Sequence, residues 1–257
     1  MPSDSVQRFT NRVASYAKYR PNYPPEILRC LQENMGFSPE TVVADIGSGT
    51  GLLAERFLHN GNTVYAVEPN DVMRQAAEAA LGHYPNLHSV AGRSEATTLP
   101  DASVDLVTAA QAFHWFEPTA TRAEFVRILR PPRWVALIWN DRQDQGSPFL
   151  VAYRALLDTL GTDYKQVDHK YVADAPALKR FFAPGDFQLF TFPNNQVLDY
   201  DGLIGRLQST SYVPAPDEKG YAEMEASARD LFNSYAEDGR VRIEYETQVF
   251  LGRLELA

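Results

Sequence analysis

The stretch TVVADIGSGTGLLAERFLHN, Thr41 to Asn60, constrains this chain more than any other. A β-rich run ends at Ile46, glycines alternate at Gly47, Gly49 and Gly51, and an apolar helical stripe of Leu52, Leu53, Phe57 and Leu58 follows. Alternating glycines let the backbone turn tightly and come close to a neighbour. A strand entering such a turn and leaving as a helix is the first half of a strand–helix–strand unit, which forms a parallel sheet through a right-handed crossover.

The alternation continues along the chain. Thr63–Val67 reads as a second strand, and Asn70 or Asp71 can cap a helix with the apolar face Val72, Met73, Ala76, Ala77, Ala80 and Leu81. Leu87–Val90, Val104–Ala110 and Trp134–Trp139 read as further strands, and Pro118–Arg130 as a helix. Strand–helix repetition predicts an α/β, Rossmann-like sheet with helices on both faces. After Asn140 the pattern changes. Phe149–Leu160 has helical spacing and Phe187–Phe192 is a strand candidate. Val241, Ile243, Tyr245, Thr247 and Val249 alternate with Arg242, Glu244, Glu246 and Gln248, as in a half-exposed antiparallel strand.

The spacing of the glycines bears on the ligand. A dinucleotide loop of the form G-x-G-x-x-G would place its third glycine where this chain has Leu52, so a ligand without a pyrophosphate is the better match. Glu68 ends the second strand, 21 residues after Gly47, where an acid commonly accepts hydrogen bonds from ribose hydroxyls. A plain strand-to-helix turn beside a solvated acid would contain the same residues. Loop and acid together at this spacing favour a ribose site.

With a net charge of −9 the chain is unsuited to general nucleic-acid binding, which requires clustered Lys and Arg. Cys30 is the only cysteine, so no intramolecular disulfide is possible. The polar start MPSDSVQRFTNR has no signal-peptide core, and no apolar run reaches the length of a membrane span. The expected location is cytoplasmic.

In order and spacing, DIGSGTG, AVEPNDVM, GRSEATTLPDASVDLV and AAQAFHWF resemble class I S-adenosylmethionine-dependent methyltransferases. More narrowly they resemble the type 11 group that includes trans-aconitate methyltransferase-like proteins. The resemblance spans about residues 8–140, with YAKYRPNYP and LIGRLQSTSY extending it. It implies a mostly parallel seven-stranded sheet with an antiparallel last strand, S-adenosylmethionine as cofactor and a small-molecule methyl acceptor. It also implies a single domain, with a helical cap over 1–36, a cofactor-binding core over 37–140, a helical lid over 141–240 and a terminal strand over 241–257. Asp45 and the backbone of Gly47, Ser48, Gly49, Thr50 and Gly51 would hold the methionine part. Glu68 would take the ribose hydroxyls, and Pro69 and Met73 would pack on adenine. Ser94 and Glu95 would border its polar edge, and Gln111 would sit beside the methionine end. Tyr19 and Arg20 would fold over the site, Arg20 pairing with the cofactor carboxylate, although Arg20 reads equally as a surface cation ahead of Pro21.

His114 is the candidate general base, and a packed, acceptor-lining ring is its other reading. Trp115 and Phe116 would shape the pocket. His59, His83, His88 and His169 lack metal-ligand spacing, so no metal is expected. Tyr153, Tyr164, Tyr171, Phe181, Phe182 and Tyr212 would pack the lid. The family usually has two glycines after its LRP; here Pro132 cannot take positive φ, so the turn before the fifth strand must differ. A non-catalytic binding protein on the same fold, or a nicotinamide-dependent oxidoreductase, are the rival readings.

Overall fold

The computed structural model describes residues 13–160, 175–210 and 212–256. Two helices open this part of the chain, α1 (Val13–Tyr19) and α2 (Glu26–Met35). The alternating half follows as β1 (Val43–Ile46), α3 (Leu52–His59), β2 (Val64–Val67), α4 (Asp71–Leu81), β3 (Leu87–Val90), β4 (Val104–Ala110), α5 (Pro118–Ile128) and β5 (Leu129–Arg142). The remainder holds α6 (Pro148–Leu160), α7 (Ala175–Phe182), β6 (Phe187–Leu198), α8 (Tyr200–Gln208), α9 (Tyr221–Tyr235) and β7 (Val241–Arg253).

Among the described residues seven strands form one sheet in the order β3-β2-β1-β4-β5-β7-β6. The first five are parallel, and β7 runs antiparallel between β5 and β6. The chain leaves β1 toward β3 and then returns to β4 on the other side. The switch point therefore lies between the carboxyl ends of β1 and β4, where sheets of this kind bind ligands. Every residue of β1 is buried, and successive side chains feed different cores. Ala44 and Ile46 join Phe113, Phe125 and Trp139 on one face. Val43 joins Leu53, Phe57 and Leu106 on the other. Phe125 is wholly buried, and truncation to alanine would cost roughly 3–5 kcal/mol.

A third core lies under α6, α8 and α9, where Tyr153, Leu157, Leu207 and Met224 meet Ile243 and Tyr245 of β7. Tyr212 packs against it. Phe181 and Phe182, expected in the lid, belong instead to the main core. The α7 helix lays Leu178, Phe181 and Phe182 beside Phe113 and Phe125, with the Phe113 and Phe181 rings 4.7 Å apart edge to face. Arg122 of α5 fixes that helix end through the Phe181 and Ala183 carbonyls. Tyr164, Tyr171 and His169 lie outside the described residues.

Two local expectations shift and one, the altered turn at Pro132, holds. The buried stripe of α4 is only Met73, Ala77 and Leu81, while Val72 is 40% exposed, because the helix meets the sheet along one narrow seam. Asn70 caps it, accepting from the Val72 and Met73 amides. The turn before the core of β5 takes its left-handed residue at Arg133, next to Pro132. Finally, β6 runs on through Pro193 to Leu198, which an edge strand tolerates because a proline there leaves no neighbour without a donor.

Candidate functional site

The loop after β1 is held to β2 by the Gly47 and Ser48 amides, which donate to the Val67 carbonyl at 2.8 and 3.2 Å. Gly47, Gly49 and Gly51 all have positive φ, at 67°, 58° and 87°. Their close approaches differ. A Cβ on Gly47 would stand 2.8 Å from Ala112 Cβ, and one on Gly51 would stand 2.5 Å from Leu81 Cδ1. Those two glycines admit other parts of the protein. Gly49 has nothing closer than 4.0 Å, and its backbone is the part of the loop left open.

Glu68 caps that opening. Its Oε2 accepts from the Gly49 amide and its Oε1 from the Asn70 amide, both at 2.9 Å. The residue is 6% exposed. Burial pushes its carboxyl above the usual range, opposed by the two amides and by Arg74. Each oxygen keeps a lone pair for a further donor. Asp45 lies behind it, 1% exposed, with Oδ1 accepting from Thr108 Oγ1 at 2.8 Å. Burial pushes Asp45 up to about 7; the Thr108 bond opposes this and the charge of Glu68 adds to it.

Two hollows meet at this loop. The larger, of about 400 Å³, has Glu68, Pro69 and Met73 on one wall and Ser94 and Glu95 on another. Gln111, Trp115 and Phe116 close a third side. The smaller, of about 20 Å³, lies against Asp45, Ser48, Thr50 and Tyr23. Both are bordered by Gly47, Gly49 and Tyr16. Ser48 Oγ and Thr50 Oγ1 are buried beside the small hollow with no hydrogen-bond partner among the described residues. A buried hydroxyl without a partner costs stability, and a polar ligand in this hollow would remove that cost.

The wall at Ser94 is tied down from α5. Thr121 Oγ1 donates to Ser94 Oγ at 3.0 Å, and Ser94 Oγ to Glu95 Oε2 at 2.8 Å. Below them Glu124 accepts from the Thr97 amide and hydroxyl and pairs with Arg127. Burial raises the Glu124 carboxyl, but the bonds from Arg127 and Thr97 outweigh it and leave it at about 2. Gln111 has φ 54° and donates through Nε2 to the Asn140 carbonyl. That bond holds the residue after β4 against β5.

Most of the residues expected at a site therefore converge on these hollows, but four do not border them, Gly51 among them because it faces Leu81 and Ala77. Tyr19 packs its ring onto Gly205, where a Cβ would collide with it, and its carbonyl accepts from Gln196. Arg20 donates through Nη2 to the Ser209 carbonyl at 2.7 Å and lies over the Tyr16 ring. His114 is half-buried in the short turn Phe113–Trp115, its ring tilted against Trp115 at 5.0 Å. Tyr16, which the sequence reading passed over, borders both hollows. It stands one helical turn before Tyr19 on α1, and that i, i+3 spacing was its signal. Glu124 has no comparable local signal.

Comparisons with known proteins agree on the fold and its chemistry. Residues 44–137 match a family described as a methyltransferase domain. An uncharacterized methyltransferase of Mycobacterium tuberculosis is 34% identical over 173 residues, 67% of each chain. An uncharacterized methyltransferase-like protein of Schizosaccharomyces pombe is 27% identical over 258 residues, 98% of this chain and 97% of its own. The solved structure of a candidate type II methyltransferase from Anaeromyxobacter dehalogenans superposes with a TM-score of 0.67 at 22% identity, covering 93% of this chain and all of its own.

Proposed function

This chain belongs to the class I S-adenosylmethionine-dependent methyltransferases, and we propose that it methylates a small-molecule acceptor from S-adenosylmethionine held at the Gly47–Gly51 loop. The observation that carries this reading is the pair of partnerless buried hydroxyls, Ser48 Oγ and Thr50 Oγ1, beside the loop that Glu68 caps. Donor-poor aliphatic ligands would leave those hydroxyls unsatisfied, whereas the amino-acid part of the cofactor would bond them.

The remaining assignments follow the walls. Glu68 accepts the ribose hydroxyls on the lone pairs that the Gly49 and Asn70 amides leave free. Pro69 and Met73 pack on the base, and Ser94 and Glu95 border its polar edge. Asp45 and the backbone from Gly47 to Gly51 hold the methionine end with Gln111 beside it. When bound, S-adenosylmethionine supplies a methyl group already activated by the sulfonium for in-line displacement. The protein's part is orientation and exclusion of water, for which the Trp115 and Phe116 wall is suited. An acceptor that arrives ionised needs no base, and His114, which does not border the hollows, is a packed ring beside Trp115 in this reading.

No helix among the described residues is long and apolar enough to cross a membrane, in keeping with a small, dissolved acceptor. The test is calorimetric titration with S-adenosylhomocysteine followed by mass spectrometry of a metabolite panel incubated with S-adenosylmethionine. Binding with a mass gain of one methyl group in a panel member is the expected result. Folded protein that fails to bind at millimolar concentration would remove the proposal.

A further inference from the structure

Arg20 and Arg206 both donate to Ser209. Arg20 Nη2 donates to its carbonyl at 2.7 Å, and Arg206 Nη1 to its hydroxyl at 3.4 Å. Arg206 is 4% exposed and also donates through Nε to Tyr245 OH at 3.1 Å. Arg20 Nε is buried without a partner among the described residues. Among the described residues no carboxylate pairs with either guanidinium, in a chain that has 33 acids to 24 basic residues. Burial lowers the pKa of Arg20 and the neighbouring Arg206 charge adds to this, whereas Arg206, though buried, is raised by Tyr245, Tyr153 and Tyr212. Unpaired buried charge is costly, and two such charges side by side are more so. Among the described residues the arrangement has no carboxylate as counter-charge.

Tyr16 connects this pair with the site. The Arg20 guanidinium lies 4.7 Å from the Tyr16 ring centre, and Tyr16 borders both hollows at Gly47 and Gly49. Arg20 is thus one aromatic ring from the proposed transfer site, on the side of α1 and not on that of the Ser94 wall. Guanidinium groups match carboxylate and phosphate oxygens through paired N–H donors.

Resting on the methyltransferase reading above, we infer that Arg20 and Arg206 form an anchor for an oxyanion, carboxylate or phosphate, carried by the methyl acceptor. An oxygen held by two guanidiniums has its lone pairs engaged, so the methyl group goes to another atom of the same molecule. The anchor selects the acceptor and has no part in holding the cofactor.

The test uses protein saturated with S-adenosylhomocysteine and titrated with succinate or, separately, inorganic phosphate, with the thermal midpoint as readout. A rise of roughly 3 °C or more near ten times the dissociation constant is expected for one of them. A larger rise with succinate assigns a carboxylate, and a larger rise with phosphate a phosphate ester. Arg20→Gln and Arg206→Gln should each lose most of the rise, and Arg206→Lys should restore part of it. S-adenosylhomocysteine affinity should stay within about twofold of the unaltered protein, well inside the tenfold that corresponds to one lost interaction. No rise with either anion, an equal rise in the glutamine variants, or a parallel loss of S-adenosylhomocysteine affinity would each overturn the assignment. Should Arg206→Gln fail to fold, Arg20→Gln at the less buried cation decides. If the unaltered protein does not bind S-adenosylhomocysteine at all, the methyltransferase reading is what fails. The anion titration then still reads the arginine pair.

Discussion

The half of the molecule from β1 to β5 and the helical layer of α6, α8 and α9 solve burial differently. In the first half, the Glu68 carboxylate beside the hollows is satisfied by backbone amides of its own strand–helix unit. Glu68 is bonded to the Asn70 amide two residues on and to the Gly49 amide across the strand pair. In the second, Arg20 reaches Ser209 across 189 residues and Arg206 reaches Tyr245 across 39. A site built from near neighbours is fixed by the strand order before any ligand arrives. One assembled across the chain depends on docking α1 against α8, and it is left with uncompensated charge. The first suits a cofactor that never varies, and the second a specificity element.

The sharpest way to break this contrast is Gly47→Val. Its φ of 67° and the 2.8 Å approach of a Cβ to Ala112 combine strain with collision, together about 3 kcal/mol or more. S-adenosylhomocysteine affinity should fall by about a hundredfold or the chain should unfold, as calorimetry and circular dichroism would reveal. A tolerated valine would show the loop to be adaptable.

Asp45→Asn tests the same half with opposite signs for stability and binding. The Asp45 carboxyl is raised to about 7 in the folded chain. Its favourable contribution is therefore complete below the unfolded value near 3.8 and lost as pH rises through about 7. At about pH 8 the ligand-free asparagine variant should be the more stable by roughly 2–4 kcal/mol, read as a higher melting temperature. It should also lack the gain in cofactor affinity expected of the unaltered protein as Asp45 ionises. Equal melting temperatures at that pH would mean Asp45 is not strained by burial.

Glu124→Gln probes the support of the Ser94 wall. With a folded value of about 2 against an ordinary 4.5, its contribution is present above about 4.5 and lost as pH falls through about 2. The variant should be less stable by roughly 1–3 kcal/mol at neutral pH, and the gap should close in acid. His114→Ala should have the smallest effect, with affinity for S-adenosylhomocysteine within about threefold. Once an acceptor is known, a rate loss of about a hundredfold would make His114 the base after all.

These outcomes also bear on what the chain discloses when read alone. The glycine turn, Glu68 and the Asn70 cap were legible because each rests on spacing within one strand–helix unit. The alternation of Val241 to Val249 foretold β7 for the same reason, its odd positions being buried. The width of the α4 stripe was not legible, since Val72 and Ala80 look apolar whichever way the helix is rolled on the sheet. Glu124 was hidden because its partner Thr97 lies 27 residues away in an irregular loop. Phe181 and Phe182 were placed in the wrong core because an amphipathic helix does not say which apolar surface it will cover. Arg20 was visible as a cation, but its closeness to Arg206 exists only once α1 and α8 have met.

The most direct test of the central claim is titration of the unaltered protein and Glu68→Ala with S-adenosylhomocysteine under identical conditions. The account predicts saturable binding by the first and a dissociation constant at least about tenfold weaker for the second, about 1.4 kcal/mol or more. Equal constants, or heat from neither, would contradict it.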